Sequence, residues 1–201
     1  MNIAILAIVL VFMIVIRIQI KRSDKKQRKD ELSFWAREEE ANFTRRQNID
    51  NLPYISITEN VKDITRKYPE DEGSVKILPL INTESRILNL NGIPNTELKM
   101  RYGAPNINLL TEYDKNFTDL ITGLQTLCSS VSDDEKITLL EFATDIGTDI
   151  SVSYEELADL YIKNNEPSKI HLLIKKAERI DNIRGPRIIE KMKNKLDNSV
   201  F

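Results

Sequence analysis

Residues 107–128, INLLTEYDKNFTDLITGLQTLC, decide the fold class of this chain. Apolar side chains recur in this stretch at intervals of three and four positions, which is the period of one face of an α-helix. The members of this face are Leu109, Leu110, Tyr113, Phe117, Leu120, Ile121, Leu124, Leu127 and Cys128. The pattern predicts an amphipathic helix of more than twenty residues and, with it, a mainly α fold.

Capping residues divide the chain beyond residue 128 into further helices. Ser132 and Glu135 have the spacing of a capping box, which opens a helix by satisfying its first backbone N–H groups. The other expected boundaries are Gly147 at the end of that helix, Ser153 and about Asn164 for the next one, Pro167 for the start of a third, and Gly185-Pro186 before the last. Residues 107–201 are therefore predicted to form a domain of helical hairpins.

The segment 49–106 has mixed signals. Residues 52–57 and 75–80 each contain a proline and alternating apolar positions, so we expect two short extended pieces or strands joined by the acidic turn that contains Gly73. Two strands alone are marginal, and we expect them to lean on helices. Residues 83–90 and 96–102 are predicted to be short helices, the second of which stops at Gly103.

The stretch from residue 117 to 184 resembles a tetratricopeptide repeat. One unit of 34 residues begins at Ser151, and its positions match the large, small and aromatic positions of the family's two helices. The matching residues are Tyr154, Leu157, Ala158 and Tyr161 in the first helix and Ile170, Ile174 and Ala177 in the second. Leu120, Leu124, Leu127, Leu140 and Ala143 occupy corresponding places 34 residues earlier. The resemblance implies stacked hairpins with a concave groove that binds another protein.

Two residues depart from the family pattern. Ile170 stands where a small residue is preferred and Asn182 where proline is usual. A plain bundle of antiparallel hairpins is the alternative, because it uses the same ridge-into-groove packing. The overall layout, including Phe34-Trp35 and the segment from Leu52, also resembles uncharacterised bacterial single-span membrane proteins, a resemblance that implies no mechanism.

The first twenty residues contain a single charged side chain, Arg17. A helix over residues 2–20 would be about 28 Å long, close to the ~30 Å hydrocarbon core of a bilayer. No basic residue precedes the apolar run, whereas a basic cluster follows it, so we expect a retained signal anchor with a short N-terminus outside and the C-terminal domain in the cytoplasm. The alternative is a core helix of a globular protein.

The basic cluster begins directly after the apolar run. Its members are Lys21, Arg22, Lys25, Lys26, Arg28 and Lys29. Each such residue near an anionic leaflet is attracted by about 1 kcal/mol, so these are the candidate contacts with lipid headgroups. The simpler interpretation is that the cluster only sets the topology of the anchor.

Residues 21–48 contain neither proline nor glycine and are predicted to be a helical stalk. Phe34 and Trp35 would lie some 22 Å beyond residue 20 along that helix, which is too far for an interfacial aromatic belt. We therefore expect this pair to pack on protein. The run Glu38-Glu39-Glu40 is expected to be a solvated face.

Few residues are suited to catalysis or metal binding. One cysteine, Cys128, and one histidine, His171, exclude an intrachain disulfide and the usual zinc ligand sets. The six glycines are too scattered for a phosphate-binding loop. We expect an inert buried thiol, a histidine at the boundary of the core, no catalytic, cofactor or metal site, and no enzyme. The alternative is an enzyme that uses Asp, Glu and Ser chemistry.

The charge is distributed unevenly. Residues 1–48 carry a net charge of +4, residues 49–162 carry −11, and residues 163–195 carry +6. The acidic body would repel phosphate, so we expect no nucleic-acid partner, although residues 83–102 could pass for a helix-turn-helix. The basic end is expected either to neutralise the acidic body or to touch the membrane surface or an acidic partner.

The sequence thus predicts a membrane-anchored, cytoplasm-facing adaptor that binds other proteins. If the repeat geometry carries over, the inner face of its clearest helix would present the contact candidates Glu155, Asp159, Ile162 and Lys163. A structural subunit of a membrane complex, with the anchor helix as its interface, is the alternative function. The predicted segments are an anchor at 1–20, a stalk at 21–48, a mixed segment at 49–106 and the hairpin domain.

Overall fold

The structure, a computed structural model, describes the backbone of residues 3–199 and their side chains except those of residues 3–11, 14, 15, 198 and 199. Within this range the chain forms nine α-helices and no strand, which confirms the mainly α prediction. The helices are α1 Ile3–Asn42, α2 Glu59–Lys67, α3 Glu72–Asn82, α4 Asn95–Tyr102, α5 Ile107–Leu127, α6 Asp133–Asp145, α7 Ser151–Lys163, α8 Ile170–Ala177 and α9 Arg184–Ser199. Single 3₁₀ turns precede α5 and α8.

The helices belong to two compact units. The first unit comprises Met1–Gln47 and Pro94–Asn106, and therefore contains α1 and α4. The second unit comprises Asn48–Ile93 and Ile107–Phe201, and contains the other seven helices of the described chain. The long α1 is a single helix whose backbone continues from the apolar N-terminal run to Asn42, five residues beyond Arg37.

The C-terminal end of α1 is held by the segment around α4. Ala41 of α1 and Leu98 of α4 are buried apolar residues. The fully buried Asn106 donates from its amide nitrogen to the carbonyls of Gln47 (2.8 Å) and Tyr102 (2.7 Å). Its amide oxygen accepts from Nε of Arg46 (2.9 Å). Because every polar atom of this buried side chain is bonded, it costs little to bury and fixes the loop that follows α1.

The second unit is built around α5, as the periodicity predicted. Leu110, Phe117, Leu120 and Leu124 are fully buried, and α5 packs most extensively against α3. The next helices pack on one another in the pairs α6 with α7, α7 with α9 and α8 with α9. Their apolar faces join those of α3 and α5 in one continuous core.

Two glycines bring α3 and α5 into backbone contact. A Cβ atom on Gly73 would overlap the carbonyl oxygen of Gly123 and lie 2.5 Å from the backbone nitrogen of Leu127. A Cβ atom on Gly123 would lie 2.8 Å from Cγ1 of Ile77. Since carbon atoms pack at about 3.5–4.0 Å, neither position has room for a side chain. The crossing of these two helices therefore depends on both glycines.

The strand predicted at residues 75–80 is wrong, because these residues lie inside α3. The Asp71 carboxylate caps this helix by accepting from the Gly73 N–H (2.8 Å). Pro79 removes one helical hydrogen bond, and Val75, whose carbonyl loses that bond, is an exposed residue. The buried positions Gly73, Ser74, Ile77, Leu80 and Ile81 have helical spacing, which the proline and the apolar run had obscured.

The helix predicted at residues 83–90 is also wrong, since no helix is formed between α3 and α4. The Leu88 N–H donates to the carbonyl of Tyr113 (3.2 Å), and the Leu90 N–H donates to the Asp114 carboxylate (3.0 Å). These bonds to α5 replace the helical ones. The predicted strand at residues 52–57 is likewise irregular, although its Ile55 N–H donates to the carbonyl of Ile87 (2.9 Å).

The predicted boundaries of the C-terminal helices are confirmed at one end and shifted at another. The Glu135 carboxylate accepts from the backbone N–H (3.1 Å) and the hydroxyl (2.9 Å) of Ser132, so the box at the start of α6 is present. The helix α7 begins at Ser151, two residues before Ser153. Ser153 is instead buried, and its hydroxyl donates a hydrogen bond to Oε1 of Gln125 (2.5 Å).

Most of the predicted anchor, residues 1–20, falls on side chains that lie outside the described residues. In the part of the chain that the structure describes, no helix has both the length and the apolar composition needed to cross a bilayer. The anchor and the membrane topology therefore stay predictions.

Candidate interaction surfaces

The basic cluster lies on one side of α1. At 3.6 residues per turn, the six residues from Lys21 to Lys29 fall within about 160° of the helix circumference. All six side chains are exposed. Asp30 and Glu31 fall outside this arc, so the helix has a basic side and an acidic side just beyond the apolar run. A basic side of this kind suits an anionic surface.

An exposed apolar patch follows the basic cluster on the same helix. Its residues are Leu32, Phe34 and Trp35, which are 71%, 53% and 60% exposed. Leu32 lies one turn before Trp35 and on nearly the opposite side of the helix from Phe34, so the patch extends part of the way around α1. The two aromatic rings meet edge to face with centroids 5.5 Å apart. Within the described chain the pair is thus largely uncovered, so the expectation that it packs on protein stays a prediction. An exposed aromatic pair beside a third apolar side chain is a candidate for contact with a partner.

Part of the acidic run in α1 has a structural role that the sequence did not reveal. The Glu38 carboxylate accepts from Nζ of Lys99 and from the hydroxyl of Thr96 (2.5 Å), and these bonds lower the pKa of Glu38. Nη2 of Arg37 contacts Glu97 (2.7 Å). The expected solvated face is therefore correct for Glu39 and Glu40, which are exposed, and wrong for Glu38.

The four contact candidates of α7 lie together, and three of them form ion pairs within the chain. Glu155 binds Nζ of Lys191 (2.5 Å), and Asp159 binds Nζ of Lys195. Lys163 binds Asp133 of α6, while Ile162 is half-buried against the core. The final helix α9 therefore occupies the side of α7 that carries Glu155 and Asp159.

The basic C-terminal region pairs with acidic residues at further positions. Lys176 contacts Asp145 (2.8 Å), and Nη1 of Arg184 contacts Asp149 (3.1 Å). Together with the two lysines of α9, these contacts support the interpretation that the basic end neutralises the acidic body. The apolar residues of the same helix, Ile188 and Met192, are fully buried.

The lone cysteine and the lone histidine lie in different environments. Cys128 is buried, and loss of solvation, reinforced by the charge of Glu156, raises the pKa of its thiol to about 12. Such a thiol is almost entirely protonated at neutral pH and is a poor nucleophile. His171 is exposed on α8 rather than at the boundary of the core. Among the residues that the structure describes, no cluster of acidic, cysteine or histidine side chains could hold a metal ion.

Two of the concave regions of the second unit are described by their lining residues. The larger, of about 310 Å³, lies between residues 54–57 and the chain that leaves α3. The smaller, of about 220 Å³, is lined by several polar residues, including Asn89, Asp149 and Asn182. In the smaller one, Asp149 already binds Asn182 (3.1 Å) and Arg184, so its carboxylate is engaged within the chain.

Comparisons with protein-family models, with curated proteins and with solved structures find no match for this chain.

Proposed function

We propose that this protein is a membrane-anchored adaptor that holds another protein beneath the cytoplasmic leaflet. The exposed patch of Leu32, Phe34 and Trp35 is the observation that carries this proposal, because it lies on the same helix as the apolar run and the basic cluster. A tethered binder has a higher effective concentration toward other membrane-bound proteins than a freely diffusing one.

The basic cluster supports the orientation. Six cations on one side of α1, directly after the apolar run, would be retained in the cytoplasm and attracted by anionic headgroups. Replacement of all six residues by glutamine should remove the preference for a cytoplasmic C-terminal side. A C-terminal reporter that is active only in the cytoplasm would then lose most of its signal, whereas replacement of Arg37, Arg45 and Arg46 should leave the signal unchanged.

The patch on α1 is the first candidate for partner contact. A photo-cross-linking residue at position 35 should capture a specific protein in intact cells, and one at the exposed position 63 of α2 should not. The substitutions Leu32→Ser and Phe34→Ser should abolish capture from position 35. Equal capture from both positions would contradict the proposed role of the patch.

The helical hairpins, with their resemblance to tetratricopeptide repeats, provide the second candidate. Tyr154, Leu157, Ala158 and Tyr161 are all buried, which supports their proposed role as the packing residues of the first helix. Its contact candidates, however, form ion pairs with α9, so a partner would compete with Lys191 and Lys195. We therefore expect the two lysines to reduce the affinity of this face for a partner.

Charge reversal can separate binding from structure at this face. The double variant Glu155→Lys, Asp159→Lys breaks the two ion pairs, and adding Lys191→Glu, Lys195→Glu restores them in reversed order. If the face binds a partner, capture should be lost in both variants. If the fourfold variant captures the partner normally, the loss was structural and the groove has no role.

The alternative is a structural subunit whose anchor helix is the interface. Exchange of residues 1–20 for an unrelated membrane span distinguishes the two functions. An adaptor should keep its partner after the exchange because the patch and the hairpins are unchanged, whereas a subunit should lose it. Cleavage of the mature chain beyond residue 21 would contradict both.

A further inference from the structure

The larger cleft of the second unit has an aliphatic floor. It lies between residues 54–57, Lys62 of α2 and the chain that leaves α3, and its volume of about 310 Å³ is at the small end of the range for ligand sites. The floor is formed by Ile55, Ile57, Leu80, Ile81 and Ile87. A ligand that fills this cleft would be small and would meet both apolar and polar surface.

Two cations and one carboxylate line the same cleft. Nζ of Lys62 is 2.7 Å from Glu59, and Nη1 of Arg86 is 3.2 Å from Asp50. The Arg86 guanidinium also lies over the Tyr54 ring, 5.0 Å from its centroid. Lys62 is thus paired within its own helix and Arg86 with the loop that precedes α2, so a ligand carboxylate would share these cations with Glu59 and Asp50. Arg86 in particular has five N–H donors in a planar fork that suits a carboxylate.

The carboxylate of the cleft belongs to Glu84, whose backbone is in the left-handed region with φ of 47°. The Glu84 N–H donates to the Ile81 carbonyl, and the Ser85 N–H donates to the Leu80 carbonyl. These two bonds form a helix end in which the left-handed position is usually occupied by glycine. A glutamate in this conformation is strained, because its Cβ crowds the following carbonyl oxygen.

The same helix end occurs twice more in this unit, with residues that tolerate it. The end of α6 uses Gly147 (φ 82°) and the end of α7 uses Asn165 (φ 59°). Asparagine accepts the left-handed region more readily than glutamate because its short side chain bonds locally. Glu84 is therefore the strained case of the three, and strain of this kind is concentrated at ligand sites and switch regions.

We propose that this cleft binds a free α-amino acid with an aliphatic side chain. The ligand carboxylate contacts Arg86 and Lys62, its ammonium group contacts Glu84, and its side chain lies on the isoleucine and leucine floor. An aliphatic carboxylic acid has no ammonium group for Glu84, and its carboxylate would be repelled by that of Glu84. An aliphatic amine has no carboxylate for Arg86 and Lys62. The proposal concerns the second unit alone and does not depend on the adaptor function.

Calorimetric titration of the full chain, reconstituted in lipid nanodiscs, tests the proposal with three probes. L-Leucine carries all the required groups, 4-methylpentanoate lacks the ammonium group, and 3-methylbutylamine lacks the carboxylate. Leucine should bind at least tenfold more tightly than either analogue. Absence of leucine binding, or equal affinity for leucine and 4-methylpentanoate, would overturn the proposal.

Substitutions of Glu84 separate its role in binding from its strain. Glu84→Gln should lower the affinity for leucine at least tenfold and should not lower the affinity for 4-methylpentanoate. Glu84→Gly removes the carboxylate and the strain together, so the melting temperature should rise while leucine affinity falls. The matched control is Asn165→Gly, which relieves the left-handed residue of α7 and should leave leucine affinity unchanged. Wild-type leucine affinity in both Glu84 variants would refute the assignment of the ammonium contact.

Discussion

The helix pairs α3 with α5 and α7 with α9 are held together in different ways. In the first pair, Gly73 and Gly123 bring the two backbones into direct contact. In the second pair, the buried Ile188 and Met192 of α9 provide apolar contact, and two lysines of α9 reach carboxylates of α7 at the edge. The first contact has no free space and the second is flanked by long flexible side chains.

This difference predicts how each pair responds to change. A backbone contact tolerates no added atom, because neither partner can rotate out of the way. An exposed ion pair contributes little, since both groups are well solvated when apart. We therefore expect the α3–α5 pair to fix the fold of the second unit and the α7–α9 pair to be adjustable by solvent conditions.

Gly73→Ala should have the largest effect. Its new methyl group would overlap the carbonyl oxygen of Gly123, so the two helices would have to separate, at a cost of about 4 kcal/mol in unfolding free energy. Urea denaturation followed by circular dichroism measures this loss. Val75→Ala, at an exposed position of the same helix, should change stability by less than about 1 kcal/mol. Equal effects of the two substitutions would contradict a backbone contact.

Met192→Ala should have the next largest effect. The side chain is fully buried, and its truncation leaves a cavity that costs about 3 kcal/mol. Met192→Leu, which nearly conserves volume, should cost less than about 1.5 kcal/mol in the same urea experiment. If the alanine variant is as stable as the leucine variant, the Met192 side chain contributes no packing to the core.

Glu135 of α6 joins α2 through an ion pair with Lys67. The contribution of this pair to the stability of the fold should depend on pH. Hydrogen bonds from Lys67 and from Ser132 lower the pKa of Glu135 from its ordinary value of 4.5 to about 2. A lowered pKa in the folded state stabilises the fold above pH 4.5, and this contribution is lost as the pH falls toward 2.

The urea midpoint of Glu135→Gln should therefore be lower than that of the wild type at pH 7, and the two midpoints should converge between pH 4.5 and 2. Glu70→Gln, at an exposed position, is the control and should match the wild type throughout. A difference that is constant with pH would show that the lost contact is not ionic.

Removal of the lysines of α9 should have the smallest effect. Lys191→Ala and Lys195→Ala should each cost about 0.5 kcal/mol at low salt, because the pairs with Glu155 and Asp159 are partly exposed. In 1 M salt, where the Debye length is about 3 Å, the cost should disappear. Lys193→Ala on the same helix is the control. A cost that persists at high salt would mean that the lysine stems, and not their charges, hold α9.

The sequence was sufficient to predict elements whose signals are local. The period of α5 and the box at Ser132 and Glu135 both lie within a few residues of the structure they determine. Gly147 marks the end of α6 in the same way, because its φ of 82° favours glycine. Each of these features could be recognised without knowledge of any distant residue.

Other features depend on partners that are distant in the sequence. The extended chain at Leu88 and Leu90 is fixed by Tyr113 and Asp114, about 25 residues away, so its own residues favoured the wrong structure. Asn106 gives no sequence signal of its role in bonding the loop after α1. The ion pairs of Glu155 and Asp159 arise from the packing of α9, which the 34-residue spacing did not predict.

The unbroken backbone of α1 couples rotation along its whole length. Each residue of an α-helix turns the chain by about 100° and advances it by 1.5 Å, so one inserted residue at position 30 would swing Trp35 by more than a quarter turn relative to Lys21. Seven inserted residues would nearly restore the phase while lengthening the rod by about 10 Å. The number of residues between Lys21 and Trp35 therefore sets the side of the helix on which the aromatic pair lies relative to the basic cluster.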